Sequence, residues 1–218
     1  MTLTYIGNVH HQLEEFDKAL QCHTRALTIR QTNPSPDQAS IATNLIGIAN
    51  IHWARKEYET AIEYATKALA LREHLNPKNE ISIAASLAMI ASIYQDFEQL
   101  KLALDYAERA VTRFEASLPN DSPVLADAIY NLATIQLHSK LYTNAQHNFE
   151  RVLVIYRRIL PATHDDLVAV ENDLKLLFEI QKNEKKTERQ DSKVTLKNER
   201  PKSMNDKKNQ PPLKKNKN

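Results

Sequence analysis

Small residues return at one spot every 42 residues, and that regularity leaves few folds open. Ala61 has Ala19, Ala103 and Ala145 as its counterparts, and Ala68 has Ala26, Ala110 and Val152. The same step links Gly7, Ala49, Ala91 and Ala133. Larger apolar residues keep the register: Leu3, Leu45, Leu87 and Ile129 form one column, and Ile6, Ile48, Ile90 and Leu132 another. Phe16, Tyr58, Leu100 and Tyr142 form a third, while Pro34, Pro77, Pro119 and Pro161 close each unit where a fixed φ and a missing N–H stop helix growth. The clearest unit is Ile41 to Leu75. Its spacing predicts one amphipathic helix over about 41–54 and a second over about 58–75, with a charged turn between them. Small residues on the first helix (A) and the second (B) let the two backbones approach closely. A lone pair of this kind cannot bury both apolar faces, so the units must stack.

Leu45–Ile48–Ala49, then Ala61, then Ala68–Leu69, with equivalents in each unit, resembles the tetratricopeptide repeat. A period of 42 exceeds the usual 34 or so of that repeat. The strings ALTIRQ (Ala26–Gln31), KALALRE (Lys67–Glu73) and YNLATI (Tyr130–Ile135) are similar to the longer, kinesin-light-chain style of unit. HEAT and armadillo arrays have comparable periods but do not require the column of small residues. The resemblance covers about residues 1–181. It implies an all-α fold, a right-handed superhelical solenoid of antiparallel helix pairs, with four repeats (about 1–36, 37–78, 79–120 and 121–162) and a capping helix over 165–181. In that last helix Leu167, Val170, Leu174, Leu177 and Phe178 share one side, and Lys175 stands in the small-residue column, so no B helix can follow.

Beyond Gln181 apolar residues almost vanish, and disorder is expected over 182–218. Residues 1–181 hold 16 Lys and Arg against 22 Asp and Glu, a net of −6, whereas 182–218 hold 13 against 5, a net of +8. A mildly acidic body thus carries a basic tail suited to acidic surfaces, or to folding back on the body. The tail has no interleaved aromatics, so base stacking with nucleic acid is not expected.

The chain has only two glycines, one cysteine and no apolar run of 18 residues. Those counts argue against a phosphate loop, a disulfide framework and a membrane span. The N-terminal stretch has no basic region followed by an apolar run, so a cytoplasmic location is expected. The eight histidines are scattered without metal spacing, and adjacent Cys22 and His23 point about 100° apart on a helix. No catalytic constellation, cofactor or small-molecule substrate is expected.

In arrays of this class the A helices line a concave groove. Groove-facing positions fall in three rows: Asn8, Asn50, Ser92 and Thr134; Thr4, Ile46, Ala88 and Tyr130; and His11, Trp53, Gln95 and Leu137. Asparagine, serine and threonine in a row suit the backbone of an extended peptide, while Ile46, Trp53 and Tyr130 offer apolar contacts. The A helices set no Lys or Arg toward the groove, which argues against capture of a terminal carboxylate or of acid-flanked cargo peptides; Asn131 matches the asparagine-rich A helix of kinesin light chains. The expected function is a non-catalytic protein-binding adaptor that takes a partner's peptide or helix in the groove, and the resemblance implies a kinesin-light-chain-like cargo adaptor. The alternative is the repeat module of a larger enzyme or motor subunit, motivated by Leu3, Ile6 and Val9, which should lie exposed on the first helix.

Overall fold

The computed structural model describes residues 2–75 and 79–198, and among them every regular element is a helix. Four hairpins come first: α1 (Thr2–Gln12) with α2 (Phe16–Gln31), α3 (Gln38–Ala54) with α4 (Tyr58–Leu75), α5 (Glu80–Asp96) with α6 (Leu100–Ser117), and α7 (Pro123–His138) with α8 (Tyr142–Ile159). A ninth helix, α9 (Asp165–Asn198), follows. Each B helix also packs on the next A helix, and A helices of successive units approach one another, as α1 with α3 and α5 with α7. This is an all-α helical repeat solenoid.

Its core lies where the 42-residue columns place it. Ala19, Ala61, Ala103 and Ala145 are fully enclosed, as are Ala49, Ala91 and Ala133. Around them Ile48, Ile51, Leu87, Ile90, Ile93, Ile129 and Ile135 are buried on the A helices. α3, α5 and α7 therefore bury more than one face, because each lies between its own B helix and the preceding one. Burial of apolar surface on that scale, at about 25 cal/mol per Å², is the main force holding the stack.

Local chemistry sets the helix ends. The Asp37 side chain accepts from the Ser40 N–H at 3.2 Å, and Asn79 does the same for Ser82 at 3.2 Å, so α3 and α5 are capped. Pro123 opens α7 in the first turn, where no donor is needed. Every A-to-B turn reverses through one left-handed residue: Glu14, Lys56, Glu98 and Lys140, again 42 apart. In each turn the next residue donates five positions back, as from Glu57 N to His52 O at 2.9 Å and from Leu141 N to Gln136 O at 2.8 Å. That closure satisfies carbonyls at the A-helix end. His52 stacks on Tyr64 with ring centroids 5.6 Å apart, and Tyr94 stacks on Tyr106 at 5.6 Å, one unit later.

Three expectations from the sequence need revision. Leu3 is half-buried, although Ile6 and Val9 are exposed as anticipated, at 40% and 53%. Phe178 does not join Leu167, Val170, Leu174 and Leu177 in the core; it is 50% exposed. The last helix also continues past Gln181 to Asn198, where disorder was expected. Loss of an apolar stripe removes packing, but Glu, Lys, Arg and Gln are strong helix formers. The segment from Phe178 forms a second compact unit. Within it Lys182 Nζ pairs with Glu179 Oε1 at 3.3 Å, and the Thr187 hydroxyl donates to the Asn183 carbonyl at 3.0 Å. Residues 199–218, and the disorder expected there, lie outside the described residues.

Candidate functional site on the A helices

Several polar residues of the A helices bond across to the first helix of the next unit or to α9. The Trp53 indole N–H donates to Asp96 Oδ2 at 2.8 Å, the Gln95 amide meets His138 Nδ1 at 3.2 Å, and the Tyr130 hydroxyl donates to Asp173 Oδ2 at 2.7 Å. Each pair is separated by one repeat plus one residue. Burial pushes the Tyr130 hydroxyl pKa up, and the bond to Asp173 adds to the effect, so the group stays a donor. Asn131 Nδ2 donates to Ser92 Oγ at 2.6 Å, the Ser92 hydroxyl donates to the Ala88 carbonyl at 3.2 Å, and the Thr134 hydroxyl donates to the Asn131 carbonyl at 2.7 Å. The spacing of 43 is present in the sequence, and it is the signal that could have found Asp96, His138 and Asp173, which the reading of single units missed.

The residues singled out as groove-lining are thus divided, and Thr4, Ala88 and Leu137 turn inward instead, Thr4 buried and the other two packed against the core. His11, Asn50 and Trp53 come together around one open pocket of about 490 Å³, with Tyr58, Lys56 and Asp96 on its remaining sides. His11 lies edge-on to Phe16, with centroids 5.8 Å apart, and its Nε2 is buried without a hydrogen-bond partner. Ser92, Asn131 and Thr134 form a second group; the Asn131 carboxamide oxygen is buried and unpartnered. Gln95 and Tyr130 are half-buried and tied to neighbouring A helices. Ile46 packs against the cluster of Ile41, Ala42, Leu45 and Ala68. Asn8 stands exposed on α1.

A polar junction that the sequence did not announce joins the first two units. Arg30 Nη1 donates to the Thr4 hydroxyl at 3.0 Å, and that hydroxyl donates to Asn44 Oδ1 at 3.0 Å. His23 is fully buried beside them, with no partner for Nδ1. Burial is the main cause holding the His23 pKa below 6.5; Asn44 acts the other way, and His11 and Arg30 push it down further. Since the unfolded chain then binds the extra proton, stability is full above about pH 6.5 and falls as pH drops toward the folded-state value. Urea midpoints measured from pH 7.5 to 5 should decline, by up to about 1.4 kcal/mol per pH unit for one proton, and His23→Ala should remove that component.

Among the described residues no helix is long and apolar enough to cross a membrane, and no group of three His, Cys, Asp or Glu side chains is placed to hold a metal ion. What the described A helices offer is a face with an open pocket, half-buried aromatics and three buried side-chain atoms without hydrogen-bond partners, His11 Nε2, Asn44 Nδ2 and Asn131 Oδ1.

A helical repeat solenoid with such a face belongs to the class of protein–protein interaction modules. Two family models, both described as tetratricopeptide repeat, match over residues 1–74 and 83–124. Together they span more than half of the sequence, and the chain belongs to the tetratricopeptide-repeat family, with its fold in the kinesin-light-chain-like form. BtubC (BKLC) from P. vanneervenii is 18% identical, with 99% of this chain and 86% of that one aligned at a TM-score of 0.74. A putative kinesin light chain of Podosopora anserina, built of nearly identical TPR-like repeats, is 16% identical over 89% of this chain and 92% of its own, at 0.71. A Rap protein complexed with competence and sporulation factor is 17% identical over 88% of this chain and 52% of its own, at 0.64. At these identities the likeness is one of fold. No curated protein matches the sequence.

Proposed function

We propose that this chain is a non-catalytic adaptor that holds a peptide or helix of a partner protein along its A-helix groove. The observation that carries this reading is the open pocket among His11, Asn50 and Trp53, where a half-buried carboxamide with no hydrogen-bond partner among the described residues lies next to aromatic walls. A cytoplasmic cargo-adaptor role of the kinesin-light-chain kind fits the repeat type. The family's acid-flanked cargo peptides fit this groove poorly, because Lys56, at the turn, is the one Lys or Arg among the described residues around the pocket. Basic residues beyond Gln181 are suited to a secondary contact with an acidic surface.

The test begins with affinity capture on the full chain and identification of the bound protein. Asn50 is half-buried and makes no side-chain hydrogen bond among the described residues, so Asn50→Ala should change stability by less than about 0.5 kcal/mol. The same variant should weaken the identified partner by about 1–2 kcal/mol, roughly tenfold, in a calorimetric titration. Undiminished affinity for Asn50→Ala and for Trp53→Ala would remove the groove from the account.

A further inference from the structure

Three of the four A helices bury a flank that α1 leaves open. Ile48 and Ile51 of α3, Ile90 and Ile93 of α5, and Leu132 and Ile135 of α7 are all buried. Their counterparts on α1 are Ile6 and Val9, 40% and 53% exposed, with Tyr5 beside them at 68%. Thr2, Tyr5, Ile6, Val9 and His10 line an open pocket of about 400 Å³ there. A contiguous apolar patch of this kind on a soluble surface marks a place where another molecule binds.

The three covered copies of the flank show what fits it. α2 packs on α3, α4 on α5 and α6 on α7. Steps of four and three residues link His23, Leu27 and Arg30 on α2, Ala65, Leu69 and Arg72 on α4, and Ala107, Val111 and Phe114 on α6, the spacing of one stripe along a helix. Ala65 and Leu69 share a buried cluster with Ile90 and Ile93, and Ala107 and Val111 share another with Leu132 and Ile135. The arginines reach forward. Arg30 Nη1 donates to the Ser40 carbonyl at 3.4 Å, and Arg72 Nη1 to the Ser82 carbonyl at 2.9 Å and the Ser86 hydroxyl at 2.6 Å. On α1 the counterpart of Ser86 is Thr2, which is exposed. A second folded copy of the chain has no such stripe to offer, because its B helices already bury theirs: His23, Ala65, Ala107 and Phe149 are each 3% exposed or less.

We infer that the open flank of α1 is a docking surface, lined by other residues than the groove pocket, for one amphipathic helix of a partner protein that carries alanine, leucine and arginine at this spacing. The alanine lets the two backbones approach over Ile6 and Val9, the leucine packs beside it, and the arginine donates to the Thr2 hydroxyl as Arg72 does to Ser86. A single helix laid along an apolar stripe is a common mode of recognition, and here its pattern is read from the chain's own repeats.

The probe is a capped peptide with the sequence of α4, Tyr58–Leu75, titrated into the full chain with methyl NMR as the readout. Shifts are expected at Ile6 and Val9 and not at Ile90 and Ile93, whose cover is already in place. Val9→Asp, at an exposed position, should weaken binding by about tenfold or more, as should Ala65→Trp in the peptide. Trp53→Ala should leave binding unchanged, which separates this flank from the groove. Shifts at Ile90 and Ile93 would show the peptide displacing α4 instead and would overturn the inference. So would equal binding by Val9→Asp or by the Ala65→Trp peptide, no shift at about 1 mM peptide, or a dimer of the chain alone that Val9→Asp dissolves.

Discussion

Gly47→Ala destabilises the protein by about 1–3 kcal/mol or more, although alanine is the better helix former by about 1 kcal/mol. A Cβ at Gly47 would lie 2.3 Å from Cε1 and 2.5 Å from Nδ1 of His23. The ring cannot swing away, because it is fully buried and Gly7 abuts it as well, where an added Cβ would lie 2.7 Å from Cδ2. Both glycines of the chain thus serve one imidazole. One unit later the conflict does not arise: Ala65 stands in the place of His23, Met89 in that of Gly47 and Ala49 in that of Gly7. His23→Ala should therefore rescue Gly47→Ala, with a favourable coupling of about 1–3 kcal/mol in a double-mutant cycle of urea midpoints at constant slope. A midpoint for Gly47→Ala at or above that of the parent chain would show that the ring yields easily and that the glycines have another cause.

How much of this was legible in the sequence depended on which interactions repeat. Ala61 and Ala49 could be identified as contact points because every unit solves the same close approach with the same residue size. His23 could not, since its column reads His, Ala, Ala, Phe and gives no average to recognise. Gly7 was seen as a small residue, but its reason, a neighbour's imidazole, sits on another helix at no repeating distance. The end of α9 was misjudged because periodicity reports packing, whereas residues 182–198 are helical on intrinsic preference.

The groove residues show the same division. A row of Asn, Ser and Thr reads as free hydrogen-bonding capacity when the chain is viewed one unit at a time. Ser92 and Asn131 face each other across two units instead, and Trp53 already donates to Asp96. The polar atoms left without partners, Asn131 Oδ1 and His11 Nε2, are themselves buried, so what remains open to a ligand is the pocket bordered by Asn50, Trp53 and Tyr58. A partner must then be recognised through few polar contacts and through the aromatic walls of the pocket, which favours a side chain of some bulk.

Ala103→Trp should have the largest effect on the array as a whole. Ala103 on α6 and Ala91 on α5 are both fully buried in one cluster, so no volume exists for an indole unless the α5–α6 hairpin opens. Overpacking of this kind costs about 1–3 kcal/mol where neighbours can shift, and more where the obstacle is a facing helix backbone. Repeat arrays hold together through nearest-neighbour interfaces, so a defect in the third unit also weakens α4 against α5 and α6 against α7. Hydrogen exchange should then show α1–α4 and α7–α8 losing protection at different denaturant concentrations, where the parent chain loses it together. Leu102→Trp provides the control, because Leu102 is the preceding residue on the same helix and is 42% exposed; it should shift the midpoint by less than about 0.5 kcal/mol. Equal midpoints for the two tryptophan variants would mean that the A and B backbones are not in close approach at Ala103, and the solenoid would have to be held by something other than its column of small residues.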